Sequence, residues 1–188
     1  MIVIGLTGTL GSGKGVVKDI LSKKLGYEVV TLSEIIKEEL KKRGKEVTRK
    51  NLQDMGNELR KRFGNDILVK LALKKCKGKN LIIDGIRNVD EINHLRKKFG
   101  KKFLLIGIDA PLEIRFKRIR KRGRKGDPKT WKEFIKADER DRKEKKTYGQ
   151  QVEKCLGKAD FLLINDCSLK ELEKLIEELI ENFKIYLG

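Results

Sequence analysis

The stretch that most constrains this chain is IVIGLTGTLGSGKGVVKDIL, Ile2 to Leu21. An apolar run of Ile2, Val3, Ile4 and Leu6 reads as a strand, and Val16, Val17, Ile20 and Leu21 then recur at helical spacing. Between them GTLGSGKG, Gly8 to Gly15, fits G-x-x-x-x-G-K, the phosphate-binding loop. Gly8, Gly11 and Gly13 lack a Cβ, so the backbone can turn its N–H groups inward around a polyphosphate. Lys14 can reach the β- and γ-phosphates, and the helix beginning there adds the positive end of its dipole. Ser12, Gly15 and Val16 fall within the same cradle. A strand before and a helix after supply the context that separates a nucleotide loop from a chance glycine-lysine string.

Gly15 stands where a Ser or Thr hydroxyl usually holds Mg²⁺, and Val16 brings no hydroxyl either. The metal is therefore expected to be held by water, by the nucleotide phosphates and by a carboxylate from elsewhere in the chain.

The rest of the pattern fixes a fold class. Strands are expected at Glu28–Leu32, Asn80–Asp84, Phe103–Ile108 and Phe161–Ile164. Helical patterns run through Ser33–Arg43, Thr48–Phe63, Asp66–Cys76, Val89–Lys98, the segment after Pro111, and Lys132–Lys146. Ser168 caps a last amphipathic helix ending near Tyr186. Strands separated by helices predict a three-layer α/β/α fold, a parallel sheet of about five strands covered on both faces. At 188 residues a single domain is expected.

No stretch approaches the length of a membrane span, and Met1 leads directly into a strand, so a cytoplasmic protein with no membrane partner is expected. Cys76, Cys155 and Cys167 are odd in number and lack metal-ligand spacing, which reads as reduced thiols. His94 is the only histidine and is expected on a helix surface, which speaks against a histidine-based triad. The net charge of +18 admits two readings. One is phosphate neutralisation on a nucleic acid. The other is the Lys/Glu enrichment of heat-adapted proteins together with an active site for polyanions. Recognition aromatics are sparse, with one tryptophan, so the second is favoured.

Two further constellations carry chemistry. IIDGIR, Ile82 to Arg87, lies at the carboxyl end of a buried strand, where ligands collect in parallel sheets. There Asp84 can orient Mg²⁺ through water or an acceptor oxygen, and Arg87 offers a planar fork for a phosphate. From Arg115 to Lys125, eight of eleven residues are Lys or Arg, and Arg118 and Arg122 share a helix face at i, i+4 spacing. Two arginines one turn apart beside a glycine-containing break suit stabilising a transferring phosphoryl group.

On these motifs the chain resembles the P-loop nucleoside monophosphate kinase superfamily, an adenylate kinase-related group, and within it the deoxynucleoside monophosphate kinase-like and dephospho-CoA kinase-like branches. GTLGSGKG looks like that family's ATP loop, IIDGIR like its acceptor-phosphate strand, and IDAPLEIRFKRIRKR like the strand and helix leading to its lid. TRKNLQDMGNELRKRFGNDILV resembles the acceptor-binding region, and KADFLLIND the final strand with the loop near the ATP base. The resemblance implies an acceptor-binding helical excursion over residues 33–76 and a lid over residues 123–148. It implies transfer of the ATP γ-phosphoryl group, with Mg²⁺, to a nucleoside or deoxynucleoside 5′-monophosphate. Lys14, Asp84, Arg118 and Arg122 would be catalytic. Ser33, Arg60, Arg87, Arg140 and Arg142 would contact the acceptor, Arg60 less strongly because helical arginines are commonly solvated. Thr31-Leu32-Ser33-Glu34 replaces the Thr-Gly-Asp of adenylate kinases proper, which argues against that enzyme itself. Dephospho-CoA as acceptor, or an ATP-dependent nucleic-acid-binding switch, are the alternatives.

Overall fold

The computed structural model describes residues 1–124, 126–142 and 146–187. The strands are β1 (Val3–Gly8), β2 (Glu28–Thr31), β3 (Leu81–Asp84), β4 (Phe103–Asp109) and β5 (Phe161–Ile164). They form one sheet in the order β2-β3-β1-β4-β5, every neighbouring pair parallel. The α-helices among the described residues are α1 (Lys14–Leu25), α2 (Leu32–Lys42), α3 (Arg49–Phe63), α4 (Ile67–Lys75), α5 (Val89–Phe99), α6 (Leu112–Arg122), α7 (Trp131–Arg142), α8 (Val152–Leu156) and α9 (Leu169–Leu187).

The three layers follow from where the apolar side chains point. All six residues of β1 are buried, as a central strand with both faces covered requires. On one face, Ile83 and Leu105 pack with Leu32, Leu40, Leu68 and Leu95 from the helices α2, α4 and α5. On the other, Ile82 and Ile106 pack with Val17 and Leu21 of α1 and with Leu172 and Ile176 of α9. Each fully buried aliphatic side chain contributes about 1.5–3 kcal/mol of transfer free energy, so these two clusters dominate the stability of the sheet. A smaller cluster of Leu10, Ile119 and Phe134 joins the phosphate loop to α6 and α7. Phe116, Trp131 and Phe134 lie beside it with ring centroids 5.3–5.6 Å apart.

Register is what builds the site. Leu6 of β1 lies opposite Asp84 of β3, and Gly8 lies opposite Ile108 of β4. The carboxyl ends of the three middle strands therefore deliver the glycine loop, Asp84 and Asp109 to one edge of the sheet. The helix termini agree with local sequence. Thr48 caps α3 by accepting from the Asn51 N–H, and Asn88 with Glu91 forms a reciprocal capping box at α5. Ser168 and Glu171 bond each other's backbone at the start of α9.

Two expectations change. The short helix α8 escapes the sequence reading because its five residues are too few to show a periodicity. His94 is half-buried rather than on a free surface, with Nδ1 2.9 Å from the Asp66 carboxylate. Residues 143–145 of the expected Lys132–Lys146 helix lie outside the described residues, and α7 is described as far as Arg142. No helix among the described residues is long and apolar enough to cross a membrane.

Candidate active site

The phosphate loop takes a shape that only glycine fits at its key points. Gly13, the residue before α1, has φ 89°, and Gly11 has φ 82°. A Cβ at Gly13 would stand 2.2 Å from the Asn165 side-chain nitrogen, and one at Gly8 would stand 2.4 Å from the Ile108 carbonyl oxygen. The loop is braced from outside. Asn165 Nδ2 donates to the Ser12 carbonyl at 2.8 Å, and Arg118 Nη1 donates to the Asn165 carbonyl at 2.9 Å. Thr9 donates its hydroxyl to Asp109. Arg115, only 1% exposed, donates to the carbonyls of Ala110 and Leu10 and meets both oxygens of Asp138 at 2.6 and 3.0 Å.

The loop fits a polyphosphate on its own geometry. The α1 N-terminus has no acidic residue in its first turn, so nothing competes for its free N–H groups. Ser12 Oγ is buried with no hydrogen-bond partner among the described residues, a polar atom that a ligand oxygen would complete. Added space at Gly15 is open, with nothing within 4 Å of a built Cβ. The position is therefore free of any steric requirement for glycine. Val16 is exposed beside it.

Lys14 is ion-paired with Asp84 across the strand ends. Burial pushes the Lys14 ammonium below its ordinary value, with Arg87 and Lys18 adding repulsion, and Asp84 works in the opposite direction. The described residues contain no group of three metal-type ligands, and Asp84 is the carboxylate in the lining of the cleft beside the loop.

An open cleft lies beside this pair. Its floor is apolar, from Leu32, Ile36, Leu52 and Leu68. Lys14, Asp84, Ser33, Arg49, Gln53, Arg60, Arg87 and Gln150 supply the polar lining. Arg87 Nη1 donates to Gln150 Oε1 at 2.6 Å and lies 3.0 Å from Asp141 Oδ2. Arg49 pairs with the same oxygen, and Gln53 Nε2 donates to the other at 2.5 Å. Burial alone would raise the Asp141 pKa, but the Arg87 and Arg49 charges and the Gln53 bond hold it below its ordinary value. Arg49 is pushed down by burial and by the nearby Arg87, against the pull of Asp141.

The sequence-derived candidates divide. Lys14, Ser33, Asp84, Arg87 and Arg60 all line the one cleft, and Arg118 lies against the phosphate loop. Arg60 is not solvated as a helical arginine was expected to be. It is 2% exposed and donates through Nε and Nη2 to Glu91 Oε1 at 3.0 and 2.8 Å. The other Glu91 oxygen accepts the Arg87 and Asn88 N–H groups, so this pair fixes the backbone from which Arg87 extends. Arg122 turns to Asp127, with both guanidinium contacts at 2.7 Å. Arg140 reaches Asp54 at the exposed surface, at 2.6 Å, and Arg142 lies 3.9 Å from Asp138. The structure brings neither Arg140 nor Arg142 into the cleft lining.

Arg49, Gln53, Gln150, Asp138 and Asp141 escape the sequence reading. A signal for the last two existed. Phe134, Asp138 and Asp141 recur at i, i+4, i+7, one helix face, and all three are buried. In the DERDR stretch Asp138 and Asp141 turn inward, while Glu139 is exposed and Arg140 and Arg142 are half-buried.

A family profile described as an AAA domain matches residues 7–136. A UPF0200 protein of Thermococcus onnurineus is 36% identical, with 96% of this chain and 97% of that protein covered. One from Methanocaldococcus jannaschii is 34% identical over 99% of this chain and 94% of its own length. These relatives come from thermophiles, as the charge-rich composition suggested. Among solved structures, shikimate kinase from Aquifex aeolicus superposes with a TM-score of 0.60 at 19% identity, covering 98% of this chain and 99% of that one. A gluconokinase from Sinorhizobium meliloti reaches 0.53 at 13% identity, covering 97% and 95%. The fold is that of the P-loop kinases.

Proposed function

The chain belongs to the UPF0200 family, and from its P-loop kinase fold and the cleft beside its phosphate loop we propose that it is an ATP-dependent small-molecule kinase whose acceptor carries an anionic group. A nucleoside or deoxynucleoside 5′-monophosphate is the first acceptor class, since its phosphate is both anion and nucleophile. The observation that carries the reading is that one cleft is lined by Lys14 and Asp84 at the nucleotide end and by Arg87, Arg49 and Ser33 beyond them. A protein that only switched on ATP would have no use for an arginine-lined cleft facing the transferred group.

In this mechanism the loop N–H groups and Lys14 hold the β- and γ-phosphates of ATP, and Arg118 lies beside the loop to offset charge on the transferring group. Bound Mg²⁺ supplies charge neutralisation on the phosphates, with Asp84 its ligand through water. Arg87 holds the acceptor's anionic group, and the apolar floor of Leu32, Ile36, Leu52 and Leu68 excludes water around the acceptor body. Phosphoryl transfer needs alignment and charge stabilisation more than a strong base, which suits a site with no histidine.

A second reading is favoured by the structural neighbours named for shikimate and gluconate. It has a hydroxyl of a small organic acid attack, with Asp84 orienting that hydroxyl. The test is Mg-ATP-dependent ADP release against ribo- and deoxynucleoside monophosphates, dephospho-CoA, shikimate and gluconate, with Lys14→Met as the control. Stimulation by one class, lost in Lys14→Met, supports the reading and names the acceptor. ATP binding with no stimulation by any of them, together with salt-sensitive RNA or duplex binding, would overturn it in favour of a nucleic-acid switch.

A further inference from the structure

We propose that β5 is a self-pairing edge: two copies of this chain associate by laying their β5 strands antiparallel across a two-fold axis, with Leu162 of one copy directly opposite Leu162 of the other. The inference is independent of the kinase reading, because β5 is the edge remote from β2 and β3, whose ends carry the cleft.

The two edges of the sheet are finished differently. β2 begins with the charged Glu28, and all four of its residues are half-buried. β5 is Phe161-Leu-Leu-Ile164, with no charge and no proline, and Leu162 and Ile164 are 55% and 48% exposed. A strand edge that stays unpaired is ordinarily blunted by a charge, a proline or a bulge. Side chains alternate along a strand, so Leu162 and Ile164 share one face while Leu163 turns the other way, into the core with α1 and α9. On the exposed face Gly107 of β4 stands opposite Leu162 without a side chain. A Cβ there would meet Leu156, Ala159 and Leu162 at 3.0–3.1 Å. Leu162 is thus packed beside Leu156 and Ala159, with Ile164 two residues on, as an apolar strip along the rim.

The backbone selects the occupant and its register. The Asp160 N–H donates to the Leu105 carbonyl, toward β4. Backbone groups along a parallel strand point alternately to its two sides, so Phe161 and Leu163 direct theirs to the outer edge. An antiparallel second copy bonds both when Phe161 of each copy faces Leu163 of the other. Setting Leu163 opposite Leu163 would put Phe161 against Asn165, whose N–H already donates to Asp109. Setting Phe161 opposite Phe161 would put Leu163 against Ala159, whose N–H already donates to Leu156. In the remaining register the two Leu162 residues form a non-hydrogen-bonded pair, with Cα atoms about 4.5 Å apart, and each has Ile164 of the other copy on its diagonal. The charges then match at both ends, because the exposed Lys158 of each copy faces the exposed Asp166 of the other. Asp160, opposite Ile164, is turned to its own chain, held by Arg96 at 2.8 Å and by the Leu105 N–H at 2.7 Å. The two-fold repeats every contact and closes on itself, so association stops at a dimer rather than growing into a filament.

Each copy carries a charge of +18, so association is measured at about 0.3 M salt, where that repulsion is screened. Sedimentation equilibrium of the whole chain from about 1 to 100 µM is expected to show monomer and dimer in exchange. Leu162→Lys sets like charges directly opposite and is expected to raise the dissociation constant about tenfold or more. Phe63→Lys removes a comparably exposed apolar side chain from the end of α3 and is expected to leave it unchanged. Both positions are at the surface, so both variants should keep the parent circular dichroism. Lys158→Asp and Asp166→Lys should each weaken the dimer, and the chain carrying both should recover it. With Cys76→Ser and Cys167→Ser as background, Leu162→Cys should give a disulfide-linked dimer on mild oxidation. Ile164→Cys should not, since only the Leu162 pair falls within disulfide reach. A chain that stays monomeric over the whole range would overturn the proposal and leave the edge to a strand from a different protein. So would a dimer weakened no more by Leu162→Lys than by Phe63→Lys. Cross-linking through Ile164→Cys as readily as through Leu162→Cys would overturn the register.

Discussion

Removing the charge of Asp138 is expected to cost more stability than any single surface ion pair in the chain. Arg115 and Asp138 are 1% and 4% exposed, so their interaction is screened by little water. Arg115 spends its donors on Asp138 twice and on the Ala110 and Leu10 carbonyls, and its guanidinium lies 5.4 Å from the Phe134 ring centre. In Asp138→Asn the two carbonyls and the ring remain, but the buried positive charge has lost the nearer of its two carboxylate partners among the described residues, and the other, Asp109, lies at 3.7 Å and is already bonded to Thr9. Breaking such a pair from one side costs about 3–5 kcal/mol. For a chain of this length each kcal/mol moves the melting temperature by about 2–4 °C, so a fall of about 6–20 °C is expected. Urea unfolding followed by circular dichroism should show the midpoint falling by about 1–2 M. The reasoning also fixes a double variant. Arg115→Met with Asp138→Leu replaces the pair by apolar groups and should regain most of the loss, because the desolvation cost of both charges vanishes together. An Asp138→Asn variant within about 1 kcal/mol of the parent would refute the argument, as it would place the pair in the surface range. So would a double variant no more stable than Asp138→Asn.

Two further outcomes are expected. Gly15→Ser should fold normally, because its Cβ meets nothing within 4 Å, and should lower the Mg²⁺ concentration needed for half-maximal ATP binding by supplying the missing hydroxyl; an unchanged requirement would place the metal away from this residue. Cys155 is pushed up to about 12 by burial, with the Glu91 charge adding to it, so iodoacetamide at pH 9 should label Cys76 and Cys167 in the native protein and spare Cys155, as mass spectrometry would read. The sign for stability follows. The unfolded thiol ionises near pH 8.5 and the folded one does not, so this contribution is complete below about pH 8.5 and is lost as pH climbs toward 12. Cys155→Ala should remove that part of the alkaline loss.

What the sequence made legible was whatever is encoded in contiguous residues. The glycine loop, Asp84 and Arg87 each sit in a short motif next to an apolar strand, and parallel pairing then brings the strand ends together without further information. The fold class was legible for the same reason, since alternating strand and helix patterns leave few ways to cover both faces of a sheet. Charged side chains were harder. Arg140 and Arg142 were attractive by type, yet only the helix period of Phe134, Asp138 and Asp141 indicates which charges point inward. Arg49 lay in the segment that resembles an acceptor-binding region, but nothing local singled it out from the other arginines there. Its role depends on α7 arriving from nearly a hundred residues away in the chain, a contact that one sequence does not encode in any window. Arg60 shows the limit of base expectations about exposure, because its burial is decided by Glu91, thirty-one residues later.

The helix α7 holds Asp138 against Arg115, which is bonded to the phosphate loop at Leu10, and three residues later holds Asp141 against Arg49 and Arg87. One turn of helix thus touches both the brace of the phosphate loop and the arginine pair of the cleft. Thermodynamic linkage then imposes a symmetry that is independent of how far the turn moves. Whatever factor ATP exerts on acceptor affinity through this helix, the acceptor must exert on ATP affinity in return. The order in which the two molecules arrive would change the path and leave that factor unaltered.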